Sequence, residues 1–165
     1  MYISKIIFTF FFTCTIVLFA EKGKIVIGKL DLIGNYNISL KEILFIVRQR
    51  PPTFFFRQPE FNARLLKLDA LTLKNYYHSK GFLDVKIQES HKINGSKADI
   101  VFQINEGKRY FLKDLKINGN KSIPNDRISS LLGLSIGKPY NPVGINENLF
   151  LLENDYFNLG KLFFN

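Results

Sequence analysis

The chain has 165 residues, one cysteine, two histidines and a formal net charge of +9. A single cysteine rules out a disulfide framework, so the fold must rest on ordinary apolar cores. Lys and Arg are spread through every segment with no dense run or regular basic face, which argues against nucleic acid and for a solvated surface, one suited to anionic lipid headgroups.

Residues 1–20 are a different kind of sequence from the rest. Lys5 is their single charged side chain, residues 6–20 are almost wholly apolar, and Ala20 precedes the polar Glu21-Lys22-Gly23-Lys24. This is the pattern of a signal peptide over 1–20. An uncleaved anchor is the alternative, although the run falls short of the roughly 20 apolar residues a span requires. Cys14 follows Phe11-Phe12-Thr13, a poor lipoprotein lead-in, and reads as an incidental residue of the apolar run.

Residues 24–33 predict a strand with Ile25, Ile27, Leu30 and Leu32 apolar and a bulge at Gly28. Gly34-Asn35 closes it with a tight turn. Ser39 and Glu42 have capping-box spacing, and the helix they start carries Ile43, Leu44, Ile46 and Val47 until Pro51-Pro52. Phe54-Phe55-Phe56 sit in an unusual connector, read as core caps with a possible partner patch as the alternative. A second helix over about 61–79 aligns Leu66, Ala70, Leu73 and Tyr77 on one face and ends at Gly81.

Residues 82–89 alternate, with Leu83, Val85 and Ile87 on one side and Asp84, Lys86 and Gln88 on the other, as a half-buried strand does. Asn94-Gly95 signals a hairpin, and residues 99–105 return with Ile100, Phe102 and Ile104 inward. Glu106-Gly107 ends the unit.

The order then begins again. Gly119-Asn120 lies 85 positions after Gly34-Asn35 (119 − 34), and Tyr156 to Gly160 lies 79 after Tyr77 to Gly81 (156 − 77). Tyr110, Leu112, Leu115 and Ile117 predict the matching strand over 110–118, and Ile128, Leu131 and Leu132 the first helix. Ile145, Leu149, Leu152 and Tyr156 predict the second helix. Self-similarity at long range implies one folding unit used in series. The expected fold is therefore α+β, with tandem β-α-α-β-β units, each a three-stranded mixed sheet covered on one face by two helices. The second unit is truncated after Gly160, which leaves the 110–118 strand with unpaired backbone groups, to be satisfied by further chain or another molecule. The expected division is a signal at 1–20, a first domain at 21–107 and an incomplete second domain at 108–165.

The ordered set of Gly34-Asn35, Tyr77 to Gly81 with Phe82, Glu106-Gly107 with Tyr110, Gly119-Asn120 and Tyr156 to Gly160 resembles the POTRA domains of the BamA-type outer-membrane protein assembly factor family. The resemblance covers essentially everything after residue 20. It implies a periplasmic module, associated with the outer membrane through a barrel absent from this chain, whose partners are unfolded outer-membrane proteins and accessory assembly proteins. The edge strand of that family corresponds to Phe82, Leu83, Asp84, Val85, Lys86, Ile87 and Gln88, and backbone pairing along it would let Val85→Pro weaken client binding. Lys86 and Asp84 serve equally as guards of that edge. A two-partner secretion transporter or an FtsQ-like anchored division protein would share such units.

Catalytic chemistry finds no support. His78 and His91 lack partners at metal spacing and read as surface residues, and no nucleophile elbow, P-loop or dinucleotide fingerprint is present. Glu60, Asp69, Asp84 and Glu89 read as a solvated face, so neither an enzyme nor a cofactor is expected.

Overall fold

The structure is a computed structural model that describes residues 23–51 and 59–160. The N-terminal segment 1–20 and the Phe54-Phe55-Phe56 connector lie outside the described residues. Strand β1 (Val26–Ile33) leads through helices α1 (Leu40–Ile46) and α2 (Ala63–Ser79) to strands β2 (Lys86–Asn94) and β3 (Lys97–Asn105). Helices α3 (Asn125–Leu131) and α4 (Pro142–Asn158) follow. Among the described residues no helix is long and apolar enough to cross a membrane.

The sheet order is β1-β3-β2, with β3 parallel to β1 and antiparallel to β2, so the fold is α+β with a mixed sheet as expected. Register slips between Ile27 and Lys29, which places the bulge at Gly28. The hairpin turns through Gly95 and Ser96, with Gly95 at positive φ in the first central position, as a two-residue II′ loop requires.

The periodicities that define the elements also fill the core. Helix α2 buries Leu66, Ala70, Leu73 and Tyr77, the face read from their spacing. Strand β3 turns Ala98, Ile100, Phe102 and Ile104 against it, and Ile27, Ile43 and Val47 complete the interior. The capping box forms: Ser39 Oγ accepts from Glu42 N, and the Glu42 carboxylate accepts from Ser39 N.

Three expectations need correction. Helix α1 stops at Ile46 rather than at Pro51, because Val47 turns extended and the next two backbone N–H groups bond elsewhere. Those donors, Arg48 N and Gln49 N, reach the Asp69 carboxylate at 3.0 and 2.8 Å, so Asp69 is buried and not part of a solvated face. The predicted strand over 110–118 does not form. Leu112 N instead donates to Lys138 O, the Leu112 carbonyl accepts from Gly137 N, and Phe111 bridges Pro139. A strand needs a neighbouring ladder to satisfy its backbone. β3 supplies one for β1, and no described strand lies opposite 113–118. Helix α4 forms nonetheless, capped by Asn141 Oδ1 on Gly144 N with Pro142 in its first turn, but it buries no residue fully.

Leu73→Ala should cost about 2–5 kcal/mol, since Leu73 has no exposed surface and truncation leaves a cavity. Leu71→Ala, at a side chain 60% exposed, should change stability by less than about 0.5 kcal/mol. Urea unfolding midpoints check both, and an equal effect at the two sites would contradict the assigned packing.

Candidate functional site

Two features of the first repeat are candidates for function: a buried polar hub that fixes one end of the sheet, and the edge of β2, which is unpaired among the described residues. The hub is Glu106, 6% exposed, directly after β3. Its carboxylate accepts from Asn37 N at 3.0 and 3.2 Å, from Asn37 Nδ2 at 2.6 Å and from the Tyr77 hydroxyl at 3.1 Å. One acid thus ties the loop before α1, the last turn of α2 and the end of β3. The sequence singles out Tyr77 as a repeated residue and Glu106 as the close of the first unit, and a hydrogen bond joins the two.

Burial, then the neighbouring Glu106 carboxylate, push the Tyr77 hydroxyl well above the ordinary phenol range. Gly34, at φ 88°, begins the loop that reaches this hub. A Cβ there would collide with the Ile104 carbonyl oxygen, so only glycine lets the loop pass beneath β3. Asn35 Nδ2 then donates to Ile38 O at 3.1 Å and locks the turn. Gly107, next to Glu106, turns the chain past Asp84.

The same lock recurs after the missing strand. Gly119 has φ 84°, and Asn120 Nδ2 donates to Ile123 O at 2.8 Å. Yet a Cβ on Gly119 would meet nothing within 4 Å. The turn is kept where nothing described crowds it. Gly160 also has positive φ and open space, whereas Gly81 faces Tyr110 O. Tyr156, one turn before Gly160, is half-buried.

Gly81 belongs to a bracket between the repeats. Tyr110 N donates to Gly81 O at 2.8 Å, Arg109 Nε to Lys80 O at 2.9 Å, and the Tyr110 hydroxyl to Asp84 Oδ2 at 2.7 Å. The Arg109 guanidinium also lies over the rings of Phe82 and Phe111.

The two sheet edges differ. The outer side of β1 is partly covered: Ile27 N donates to Pro59 O, Phe61 N to Ile25 O, and Val26 bridges Glu60. β2 pairs only with β3 among the described residues. The edge begins later than the sequence suggested. Phe82, Leu83, Asp84 and Val85 form a turn before the strand, with Phe82 and Val85 each 3% exposed in the core and Val85 N donating to Phe82 O. Alternation was read as strand where it records a buried turn, so Val85 is a core residue and a poor place to probe an edge. Lys86, Ile87 and Gln88 do lie in β2, with Lys86 and Gln88 on the face away from the helices.

Sequence reasoning missed Asp69, Gln49 and Glu106 as buried polar groups. Gln49 is 1% exposed, donating through Nε2 to Asn62 O and accepting from Asn62 N at the start of α2. His78 is half-buried, and its Nε2 is buried without a hydrogen-bond partner, so it is no simple surface residue. His91 is exposed and packs on the Phe61 ring.

The POTRA family model, described as a surface antigen variable number repeat, matches residues 25–107 and again residues 110–165. A Treponema pallidum (strain Nichols) protein, a candidate outer membrane protein assembly factor by name, is 22% identical over 151 residues. That match takes in 85% of this chain and 18% of that protein, so the chain spans less than a fifth of its relative's length. Haemophilus influenzae BamA POTRA3-5 superposes with a TM-score of 0.57 at 18% identity, over 80% of this chain and 54% of that one. Haemophilus ducreyi BamA lacking POTRA domains 1-3 gives 0.58 at 17% identity, over 80% and 24%. At such identities the likeness is one of fold.

Glu106→Ala should destabilise by about 1–3 kcal/mol, because it strands the buried Tyr77 hydroxyl and takes the acceptor from both Asn37 donors, while Tyr77→Phe should cost about 1–2 kcal/mol. A phenol whose folded pKa is raised stabilises fully below its unfolded pKa of about 10 and loses that contribution as pH rises beyond it. Stability of the unaltered chain should therefore fall above about pH 10 more steeply than that of Tyr77→Phe. Parallel slopes in urea titrations at rising pH would remove the hub from its assigned role.

Proposed function

The chain belongs to the POTRA family, and from that premise we propose that it is the periplasmic POTRA module of an outer-membrane protein assembly or insertion factor. It binds unfolded β-barrel clients or accessory proteins by strand addition along β2. Residues 1–20 are its export signal, residues 21–107 and 108–165 are its two modules, and the outer membrane is reached through a barrel outside this chain. The module carries recognition and no catalysis.

The outer edge of β2, unpaired among the described residues, supports this reading most directly. An extended segment laid against that edge gains backbone hydrogen bonds whatever its side chains. Each contributes about 1 kcal/mol net, so capture is weak, reversible and tolerant of sequence, as a relay handling many clients requires. The pairing register tells which groups point outward. A two-residue loop makes Asn94 and Lys97 a hydrogen-bonded pair, and pairs then alternate along the antiparallel ladder. The N–H groups of Ser90 and Gln88 therefore turn inward to β3, and those of Ile87, Glu89, His91 and Ile93 turn outward.

Glu89→Pro removes one outward donor without breaking the β2–β3 ladder. It should lower affinity for a fluorescent peptide copied from an unfolded barrel strand by about tenfold, equivalent to roughly 1.4 kcal/mol. Ser90→Pro, one residue on, removes a ladder bond and should instead lower the urea midpoint. Binding by Glu89→Pro at unaltered affinity would sink strand addition along β2.

A further inference from the structure

We propose that the solvent face of the α1–α2 layer is a docking surface for an anionic phospholipid bilayer. At 100° per residue, Arg64, Lys67, Leu68, Leu71 and Lys74 fall within one arc of α2, opposite the buried face. All five are exposed, Leu68 by 47% and Leu71 by 60%. Phe45 of α1 is 80% exposed. Cations flanking bare apolar side chains are the composition of a helix that lies in a membrane interface.

The charge accounting separates this face from ordinary solvated surface. Helices α1 and α2 contain two acids, and both are engaged. Glu42 accepts from Ser39 N, Ser39 Oγ and the Tyr76 hydroxyl, and those bonds hold its carboxyl below the usual range. Asp69 is buried on the backbone of Arg48 and Gln49. The ion pairs among the described residues use Lys24, Lys29, Lys116 and Arg127, none of them on this face. The far side of the sheet, in contrast, sets Lys29 against Asp31 at 3.0 Å and carries Lys92 across from Asp99. Glu42 keeps its charge beside Lys80, and Arg64, Lys67 and Lys74 have no ion pair among the described residues. Fixed anions at the surface of a bilayer provide one, and the adjacent acyl boundary takes Leu68 and Leu71. A nucleic acid would satisfy the charges and leave the leucines wet.

This surface is distinct from the β2 edge, and its test contains no client peptide. The chain has no tryptophan, so Leu71→Trp introduces a single reporter at an exposed position. A local reporter is needed because the apolar residues 6–20 can bring the chain to any bilayer by themselves. Vesicles of phosphatidylglycerol in phosphatidylcholine should shift the Trp emission to the blue, and pure phosphatidylcholine vesicles should leave it unmoved. About 0.5 M NaCl should reverse the shift, since the attraction is screened. Adding R64Q, K67Q and K74Q to the reporter should abolish the shift, whereas adding K92Q on the sheet should retain it. Circular dichroism establishes that each variant is folded, and the salt reversal requires no further variant. Equal shifts on both vesicles, survival of the shift in the triple variant or at high salt, or capture by a single-stranded DNA oligomer in place of vesicles would each overturn the proposal.

Discussion

Two strands that run parallel cannot be joined by a hairpin, and the architecture follows from that constraint. Strands β1 and β3 are parallel neighbours, so between Ile33 and Lys97 the chain must travel back to the end of the sheet where β1 began, and β2 makes that return. Helices α1 and α2 lead from the end of β1 to the start of β2 at that same end, and covering one sheet face is how they bury their own apolar stripes. The long detour costs loop-closure entropy, and something must hold its two ends to the strand that closes the sheet. Glu106 does this with one carboxylate, binding Asn37 where the detour starts and Tyr77 near where it ends. Asp69 and Gln49 do the same in the middle, fastening the end of α1 and the start of α2 to each other through backbone groups.

Those fastenings were the least legible part of the sequence. Apolar spacing alone located Leu66, Ala70, Leu73 and Tyr77, because a stripe repeated along one helix is a local signal. An acid buried on the backbone of residues 20 positions away carries no such signal. Asp69 has the spacing of a core residue, falling beside Leu66 and Leu73, and its polarity argued against the position it occupies. The missing clue is the unsatisfied backbone that its partners would otherwise bury, which a sequence does not display. The turn at 82–85 failed for a related reason. A buried turn that places Phe82 and Val85 inward has the same two-residue rhythm as a strand, and only pairing tells them apart.

The failure of a strand to form over 113–118 makes the same point from the other side. Its apolar alternation follows that of β1, with Leu115 and Ile117 in the places of Leu30 and Leu32. β1 is a strand because β3 lies beside it, and strand propensity is chiefly a statement about such neighbours. What survives without a ladder is what is locally satisfied: the Asn120 turn, the Asn141 cap and the two helices. The backbone of 110–112, meanwhile, pairs with the 137–140 connector and anchors the second repeat to Gly81 of the first.

Comparison of the repeats also separates what the fold needs from how a given copy supplies it. In the first, Glu42 of α1 accepts a hydrogen bond from the Tyr76 hydroxyl of α2 at 3.0 Å. The equivalent residues of the second, at the two repeat offsets, are Arg127 of α3 and Asp155 of α4, which meet at 2.9 Å. Both copies clasp their helices at one point on the layer, with donor and acceptor exchanged between helices. An exposed clasp of either kind contributes little stability, typically about 0–1 kcal/mol, so its persistence reflects orientation of the helix pair more than strength. The exchange does have an electrostatic consequence. In the first repeat the clasp joins a neutral hydroxyl to the acid of α1, whereas in the second it joins a cation to an acid. Three cations on one arc of α2, Arg64, Lys67 and Lys74, thus belong to the first repeat's own sequence and not to the shared fold, since α4 carries Glu147, Glu153 and Asp155 and no Lys or Arg.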